Sequence, residues 1–272
     1  MPMNITAPNP DDTDLSSLYG EVDRAAAAAN RAGPVGLPPL TDALLNYIDA
    51  MAVADPALTH PHVRPTVLTA SHTTRAYFGA RLRHTSDAAR CELPLLRMSL
   101  AAGPDESLGA PSIHDWLEAF ELALICRNGG NDHYLRSQAY TMYYPHRWAS
   151  DDVEAVRIPA AYATVLAALA KRARWPRNKQ VRAEIAELMP PALDRLAEIT
   201  AESPWTQRVQ IVRLLAAGED ATPQVAAAVE QFRASRRIAW PLLALAALAH
   251  DLKLPTQVES DYLPKHLTVW QP

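Results

Sequence analysis

The stretch SIHDWLEAFELALICR, residues 112–127, carries the clearest structural signal in the chain. Ser112 and, three residues later, Asp115 resemble a capping box, in which two side chains accept hydrogen bonds from the free backbone donors at a helix start. Apolar side chains then recur every three or four positions, the spacing of one helix face: Ile113, Leu117, Phe120 and Leu124. We therefore predict a helix from Ile113 to Arg127, ended by the Asn-Gly-Gly at 128–130.

The composition of the chain favours helices over sheets. Hydrophobic residues make up 49% of the 272 residues, enough to bury a substantial core. Alanine is abundant, whereas Gly and Phe are scarce at 9 and 3 residues. Ala and Leu lose little freedom in a helix, while strands favour β-branched and aromatic residues. We predict an all-α fold of about ten helices, packed antiparallel through short connectors, with no strand.

Pro, Gly and capping residues divide the chain into helical segments. Thr41 is the expected N-cap of the second helix. No sequence repeat of about 34 to 45 residues recurs in register, so we expect an irregular array, and a helical-repeat-like arrangement stays open. The predicted helices span residues 16–31, 42–54, 66–83, 87–102, 113–127, 159–174, 178–188, 191–202, 204–217, 223–236 and 241–254.

We assign residues 1–14 to a flexible N-terminal arm and residues 15–272 to a single helical domain. The arm is polar and acidic and lacks the basic start and apolar centre of a signal peptide. No run approaches the roughly 18 apolar residues of a membrane span. Cys91 and Cys126 lie in apolar patterns, where buried free thiols are the default. These features predict a cytoplasmic protein that does not contact membranes.

Charge is distributed unevenly along the chain, although the net charge is only −4. Residues 1–59 carry eight acids and two bases, whereas residues 158–190 carry six bases and two acids. The basic residues could meet phosphate groups. Because the chain is acidic overall and carries no nucleic-acid-binding motif, we interpret them as a solvated helix face and loop.

Nine His residues prompt a search for a metal or acid–base site. His60 and His62 lie two apart in a connector, but no Cys or carboxylate cluster accompanies them to complete a set of metal ligands. No glycine-rich phosphate loop or nucleophile elbow is present. We therefore predict a protein that is not an enzyme and holds no cofactor or metal. The alternative is a helical hydrolase acting through His60, His62 or His146 with a carboxylate.

The last fifteen residues are unusually apolar for a terminus, since termini are usually loose and polar. Leu263 precedes Pro264 and is therefore expected to be extended. We interpret the tail as a strap that seals the helical core, and the alternative is a surface epitope for a partner. The residues that argue for burial are Tyr262, Leu263, Leu267, Val269 and Trp270.

Two pieces of the chain resemble the immunity protein 49 family in sequence, order and separation. The first is a Trp-to-Cys-Arg helix that includes Trp116, Phe120, Cys126 and Arg127. The second is the tail run Glu259, Ser260, Asp261, Tyr262, Leu263, Pro264, Lys265 and His266. The resemblance implies a mostly α-helical immunity protein of a bacterial polymorphic toxin system, which neutralises its neighbouring toxin by binding it. It implies no catalytic residues, and we expect these motif residues to be structural.

Immunity function requires a surface that binds the toxin domain, and two groups of residues are candidates. Acidic residues would complement a basic toxin, such as one that acts on nucleic acid: these are Asp151, Asp152 and Glu154, or the acids of residues 11–55. Interfaces also favour Tyr and Trp near Arg: these are Tyr140, Tyr143, Tyr144 and Trp148, for which core packing is the alternative. We expect no direct contact with nucleic acid. The other hypothesis is a helical-repeat interaction scaffold unrelated to toxins.

Overall fold

The computed structural model describes residues 3–5, 14–82, 90–127, 153–200, 203–232, 238–255, 258–260 and 262–269. Helices dominate these ranges, which confirms the predicted all-α class. The helices are α1 (Leu15–Ala32), α2 (Leu37–Ala54), α3 (Val63–Arg81), α4 (Ile113–Cys126), α5 (Val153–Arg174), α6 (Lys179–Ala197), α7 (Thr206–Ala217), α8 (Thr222–Phe232), α9 (Trp240–Asp251) and α10 (Lys265–Thr268). The strands are β1 (Met3–Ile5), β2 (Arg90–Leu93), β3 (Met98–Ala101) and β4 (Val258–Ser260), and 3-10 turns span Gly33–Gly36 and Glu106–Leu108.

Helix α4 begins as its sequence predicts. The Ser112 hydroxyl accepts a hydrogen bond from the Asp115 backbone at 3.1 Å, and the Asp115 carboxylate accepts one from the Ser112 backbone at 2.5 Å. Both halves of the capping box are therefore present. Arg81 of α3 also donates to the Asp115 carboxylate at 2.6 Å, which ties the start of α4 to the end of α3.

Helices α4 and α9 form the centre of the molecule. Every residue from Leu242 to Ala249 of α9 is buried, as expected for a helix that is apolar on all sides. α9 packs against α4, α5, α7, α8 and α10, while α4 also packs against α3 and α5. The N-terminal helix α1 packs against α2, α2 packs against α3, and α3 packs against α4. The described helices therefore form layers around α4 and α9.

The helix predicted over residues 87–102 is wrong, because β2 and β3 form an antiparallel hairpin there. Pro94 lies in the turn, and a proline inside a helix would remove a backbone donor and clash with the preceding turn. Burial alternates along β2, with Cys91 and Leu93 inside and Arg90 and Glu92 outside. This period of two is the strand signal that the helical interpretation overlooked.

Several predicted helix boundaries are also wrong. Helix α5 starts at Val153 and contains Pro159, which the sequence pattern predicts as its first residue. Thr41 does not cap α2, which starts at Leu37 with prolines in its first turn, where no intrahelical donor is lost. Thr41 is instead buried inside α2 and hydrogen-bonds the Thr73 hydroxyl at 2.8 Å.

Likewise, the helices predicted over 178–188 and 191–202 are one helix, α6, which runs through Pro190 and Pro191. Both prolines are exposed, as are Ala186 and Glu187 one turn earlier. Water can therefore solvate the carbonyl groups that the prolines leave without a donor.

The tail folds onto the helical body as the predicted strap. Tyr262, Leu263 and Leu267 are at most 3% exposed, whereas the predicted burial of Val269 is wrong, because its side chain is 38% exposed at the end of the tail; Trp270 lies outside the described residues. The Ala239 backbone donates to the Tyr262 carbonyl at 3.1 Å, which fixes the tail to the start of α9. β4 pairs in parallel with β1, so residues 3–5 of the predicted arm are attached to the tail.

Cys91 and Cys126 are free and buried, as predicted. Within the described ranges, no helix combines the length and apolar content needed to cross a membrane.

Candidate functional site

The acids proposed among residues 11–55 are described from Asp14 onwards, but the toxin-binding residues that were predicted individually fall almost entirely outside the part of the chain that the structure describes. This applies to Tyr140, Tyr143, Tyr144, Trp148, Asp151 and Asp152. Glu154 lies in the first turn of α5, where only the backbone is described. These residues remain predictions, as does a role for His146.

The residues Trp116, Phe120 and Cys126 of the predicted central motif lie in the core of the protein. The rings of Trp116 and Phe120 stack with centroids 4.5 Å apart and an interplanar angle of 18°. The Cys126 thiol donates to the Val67 carbonyl at 3.4 Å, and burial raises its pKa to about 12. Such a thiol stays protonated and unreactive at neutral pH, which agrees with a structural role.

Arg127 joins the end of α4 to the tail. Its backbone is left-handed, with φ 49°, and this turns the side chain towards α9 and α10. Its guanidinium forms an ion pair with Asp251 at 3.1 Å and donates to the carbonyl groups of Ala247, Leu267 and Thr268. The guanidinium thereby satisfies carbonyl groups on two separate elements.

The residues of the predicted tail motif divide into buried and exposed sets. Tyr262, Leu263 and Pro264 are buried, whereas Lys265 and His266 are exposed. The Ser260 hydroxyl accepts a hydrogen bond from the Tyr262 backbone at 3.1 Å. Glu259 pairs through its backbone with Asn4, and Asp261 lies outside the described residues. Lys265 and His266 are therefore accessible to a partner from solvent, and Ser260 is partly exposed.

The basic residues of α5 and α6 are partly used inside the protein. Lys171 pairs with Glu184 at 2.9 Å, and Arg172 donates to the Leu215 and Ala216 carbonyls at the end of α7. A cation at a helix C-terminus stabilises the partial negative charge there. These contacts support a structural interpretation of this part of the basic stretch.

His60 and His62 also have structural partners. Their rings lie 4.9 Å apart, and the His62 ring hydrogen-bonds the Tyr47 hydroxyl at 2.9 Å. Neither ring hydrogen-bonds a carboxylate within the described structure. A search of those same residues for three or more His, Cys, Asp or Glu able to hold a metal ion finds none.

Three ionisable groups with raised pKa values, Glu118, Glu121 and Tyr162, lie where α4, α5 and α7 meet. His114, Glu118 and Glu121 are spaced one helical turn apart, so they share one face of α4. Tyr162 of α5 and the Trp205–Arg208 start of α7 pack against this face. We call this cluster the α4–α7 patch; it consists of His114, Glu118, Glu121, Tyr162, Trp205 and Arg208.

Trp205 lies at the centre of the α4–α7 patch. The His114 ring stacks on it at 5.9 Å, and the Arg208 guanidinium lies 5.2 Å from its ring centroid. The Tyr162 ring packs beneath it at 5.5 Å. Trp205 is only half-buried, so one part of the indole faces solvent between a histidine and an arginine.

Glu121 lies below this surface with incomplete pairing. Its side chain is 8% exposed, and its Oε1 atom lies 3.8 Å from Arg208 but accepts no hydrogen bond. Desolvation raises the pKa of Glu121 to about 7, although Arg208 opposes the shift. Among the described residues, the Tyr162 hydroxyl is also buried without a hydrogen-bond partner, and desolvation raises its pKa.

Glu118 lies at the surface edge of the α4–α7 patch. Desolvation raises its pKa, and repulsion from Asp42 and Asp115 adds to the shift. Clusters of perturbed pKa values mark functional sites more often than ordinary surface. In the sequence, the visible signal of this site is the spacing of His114, Glu118 and Glu121 along one face of α4. The partners on α5 and α7 follow from tertiary packing.

Comparison with models of protein families, with curated proteins and with solved structures finds no significant match to this chain.

Proposed function

We propose that this protein is a non-enzymatic immunity protein of the cytoplasm, which binds a cognate bacterial toxin domain through the α4–α7 patch and so neutralises it. The resemblance of the central helix and tail to the immunity protein 49 family supports the class of function. The location of the binding surface is inferred from Trp205, which is partly exposed and contacts His114 and Arg208. The incompletely paired carboxylate of Glu121 lies below these side chains.

The composition of the α4–α7 patch supports a binding role. Interface hot spots are enriched in Trp, Tyr and Arg, and they lie where a partner can complete their desolvation. Trp205 and Arg208 are already oriented by each other and by Tyr162. Little side-chain entropy is then lost when a partner binds, because the anchors are fixed before the encounter.

Charge identifies the chemistry of the partner surface. Desolvation disfavours the ionised form of Glu118 and raises its pKa, and repulsion from Asp42 and Asp115 adds to this effect. A lysine or arginine of the toxin beside Glu118 would relieve the repulsion and stabilise the carboxylate. We therefore propose that the patch meets a basic surface, such as the substrate groove of a toxin that acts on nucleic acid.

Co-expression tests the proposal. The C-terminal domain encoded by the neighbouring reading frame is expressed with and without this protein, and growth and co-purification are measured. We expect toxicity without the protein and rescue with it. An absence of toxicity, rescue or co-purification contradicts the immunity function.

Variants test the location. Trp205→Ala and Glu118→Lys are each expected to weaken toxin binding at least about tenfold, because each changes an anchor or reverses a charge in the contact. Trp175→Ala and Glu187→Lys are matched controls elsewhere on the surface. Thermal melting shows whether each variant is folded. If both patch variants rescue growth and bind the toxin as well as their controls do, the toxin binds another surface.

A further inference from the structure

A groove of about 510 Å³ lies on the opposite, N-terminal part of the molecule, between α1 and the turn of the β2–β3 hairpin. This volume is in the range of small-molecule and peptide sites. Its floor is formed by the buried Ala26 and Leu95. The complete lining is Tyr19, Asp23, Ala26, Ala27, Asn30, His62, Leu95, Leu96, Arg97 and Met98.

The α1 wall of the groove is a straight stripe. Tyr19, Asp23, Ala27 and Asn30 follow one another at helical spacing. At a rise of 1.5 Å per residue, the stripe from Tyr19 to Asn30 is about 16 Å long. An extended polypeptide advances about 3.3 Å per residue, so about five residues would fill this length.

The opposite wall is formed by the hairpin-turn residues Leu95, Leu96 and Arg97 and by Met98, the first residue of β3. β2 packs against α3, whereas β3 contacts α1 and the Gly33–Gly36 turn. Apart from its pairing with β2, the β3 backbone makes no hydrogen bond to another backbone group in the described structure. A strand edge of this kind can pair with an extended segment of another chain. Met98 is the β3 residue that lines the groove.

The end of the groove is rigid. The His62 ring is held by its hydrogen bond to Tyr47 and packs against Tyr19 with ring centroids 5.4 Å apart. The His60 ring meets the same imidazole edge-on. A preformed aromatic end wall lowers the entropy lost on binding, because these side chains do not need to be ordered by the ligand.

The two walls carry opposite charges. Asp23 on α1 and Arg97 on the hairpin turn are both exposed, and neither forms an ion pair with the described residues. Asp23 complements a basic side chain, and Arg97 complements an acidic one. A ligand with a basic and an acidic side chain, separated along an extended backbone, would complement the charges of both walls.

We propose that this groove binds an extended segment of a partner protein, about five residues long, with a basic side chain facing Asp23 and an acidic side chain facing Arg97. The segment pairs with the edge of β3, and its apolar side chains rest on Leu95 and Met98. No groove residue belongs to the α4–α7 patch, so this site is independent of toxin binding there.

Selection from a displayed library of random seven-residue peptides, using the intact protein as bait, tests the proposal. Selected peptides are then synthesised and titrated by fluorescence anisotropy. Ala27→Trp fills the groove, while Ala28→Trp places the same ring on the neighbouring exposed position outside it. Asp23→Lys reverses one wall charge, and Glu21→Lys makes the same change outside the groove.

We expect selected peptides to share a basic and an acidic position and to lose at least about tenfold in affinity with Ala27→Trp, while Ala28→Trp leaves binding unchanged. Asp23→Lys should weaken the same peptides more than Glu21→Lys does. Thermal melts establish that the variants are folded. The proposal is overturned if no common sequence is enriched, or if the peptides bind the Ala27→Trp and Ala28→Trp proteins equally well.

Discussion

Arg127 shows how much one side chain contributes to the connection between helices and tail. Only a guanidinium offers enough donors, in a planar fork, to reach a carboxylate and several carbonyl groups at once. Arg127 contacts Asp251 on α9 and the carbonyl groups of Leu267 and Thr268 on α10. Its side chain is 13% exposed, so these contacts are poorly replaced by water.

Arg127→Lys should therefore lower the free energy of unfolding by about 2 to 4 kcal/mol, since a single ammonium cannot replace the fork and leaves buried carbonyl groups without donors. Urea unfolding measures the loss, and hydrogen exchange should show weaker protection of residues 262–268. Arg177→Lys, at an exposed position, is the control. Unchanged tail protection would show that Arg127 does not hold the tail.

Glu121 makes stability depend on pH. Its pKa is about 7 in the folded protein against an ordinary value of 4.5, so the folded state retains a proton that the unfolded state releases. Stability should fall as pH rises from about 4.5 to about 7 and then level off. Glu121→Gln removes this dependence and should gain about 3 kcal/mol relative to the wild type over that interval.

Urea unfolding at pH 4.5 and pH 8 measures this change, and Glu187→Gln, at an exposed position, is the control. If the difference in stability between wild type and Glu121→Gln is the same at both pH values, Glu121 does not titrate as described.

At the scale of elements, local signals predicted α4 and failed at the hairpin. The capping box and apolar stripe of α4 act within one helix, and therefore they are visible in the sequence. The hairpin also carries a local signal, the period of two in β2, but its position is fixed by a contact made elsewhere, because the Leu95 backbone donates to the Thr69 hydroxyl of α3 at 3.1 Å. The continuity of α6 through two prolines likewise depends on which side of the helix is solvated, a property set by packing.

Gly36 determines how closely α1 approaches the start of α2. A Cβ atom at position 36 would lie 2.5 Å from the Ala29 Cα atom, and backbone atoms cannot give way cheaply. Gly36→Ala should destabilise the protein by about 1 to 3 kcal/mol through this overlap. At Gly103 a Cβ atom would meet nothing within 4 Å, so Gly103→Ala is the matched control. If the melting temperatures of the two variants shift equally, the close approach of the helices is not the reason for glycine at position 36.

For the whole molecule, the sequence was sufficient to predict the fold class, the buried thiols and the strap, because each follows from composition or from apolar residues in unusual places. The α4–α7 patch could not be predicted as a site. Its residues come from 114 to 208 along the chain, and only packing brings Trp205 onto His114 and Arg208 onto Glu121. The groove likewise joins α1 to a hairpin that the sequence pattern had assigned to a helix.

Deleting residues 259–272 should abolish cooperative unfolding of the whole protein. The deletion removes the buried side chains of Tyr262, Leu263 and Leu267, each contributing about 1.5 to 3 kcal/mol. Their sum is comparable with the total stability of a typical domain, about 5 to 15 kcal/mol. Calorimetry of the shortened protein measures the effect. A melt like that of the intact protein would mean that the tail is not a strap.

A double substitution, Lys265→Ala with His266→Ala, separates the strap from the epitope interpretation. Both side chains are exposed, so the melt should be unchanged. We expect toxin binding to be unchanged as well, as a strap requires. Loss of binding without loss of stability would favour an epitope in the tail.

The pairing of β1 with β4 has a consequence for biosynthesis. Met3 aligns with Val258, so two partners in one ladder leave the ribosome 255 residues apart. The early helices of the nascent chain can form before β4 is synthesised, and during that time β1 has no partner strand. Arg127 likewise lacks the carbonyl groups of α10 until the tail is synthesised. The protein is therefore expected to complete its folding late and cooperatively. Until the tail is synthesised, chaperones and proteases encounter a nearly complete chain in which β1 and β4 have not yet paired.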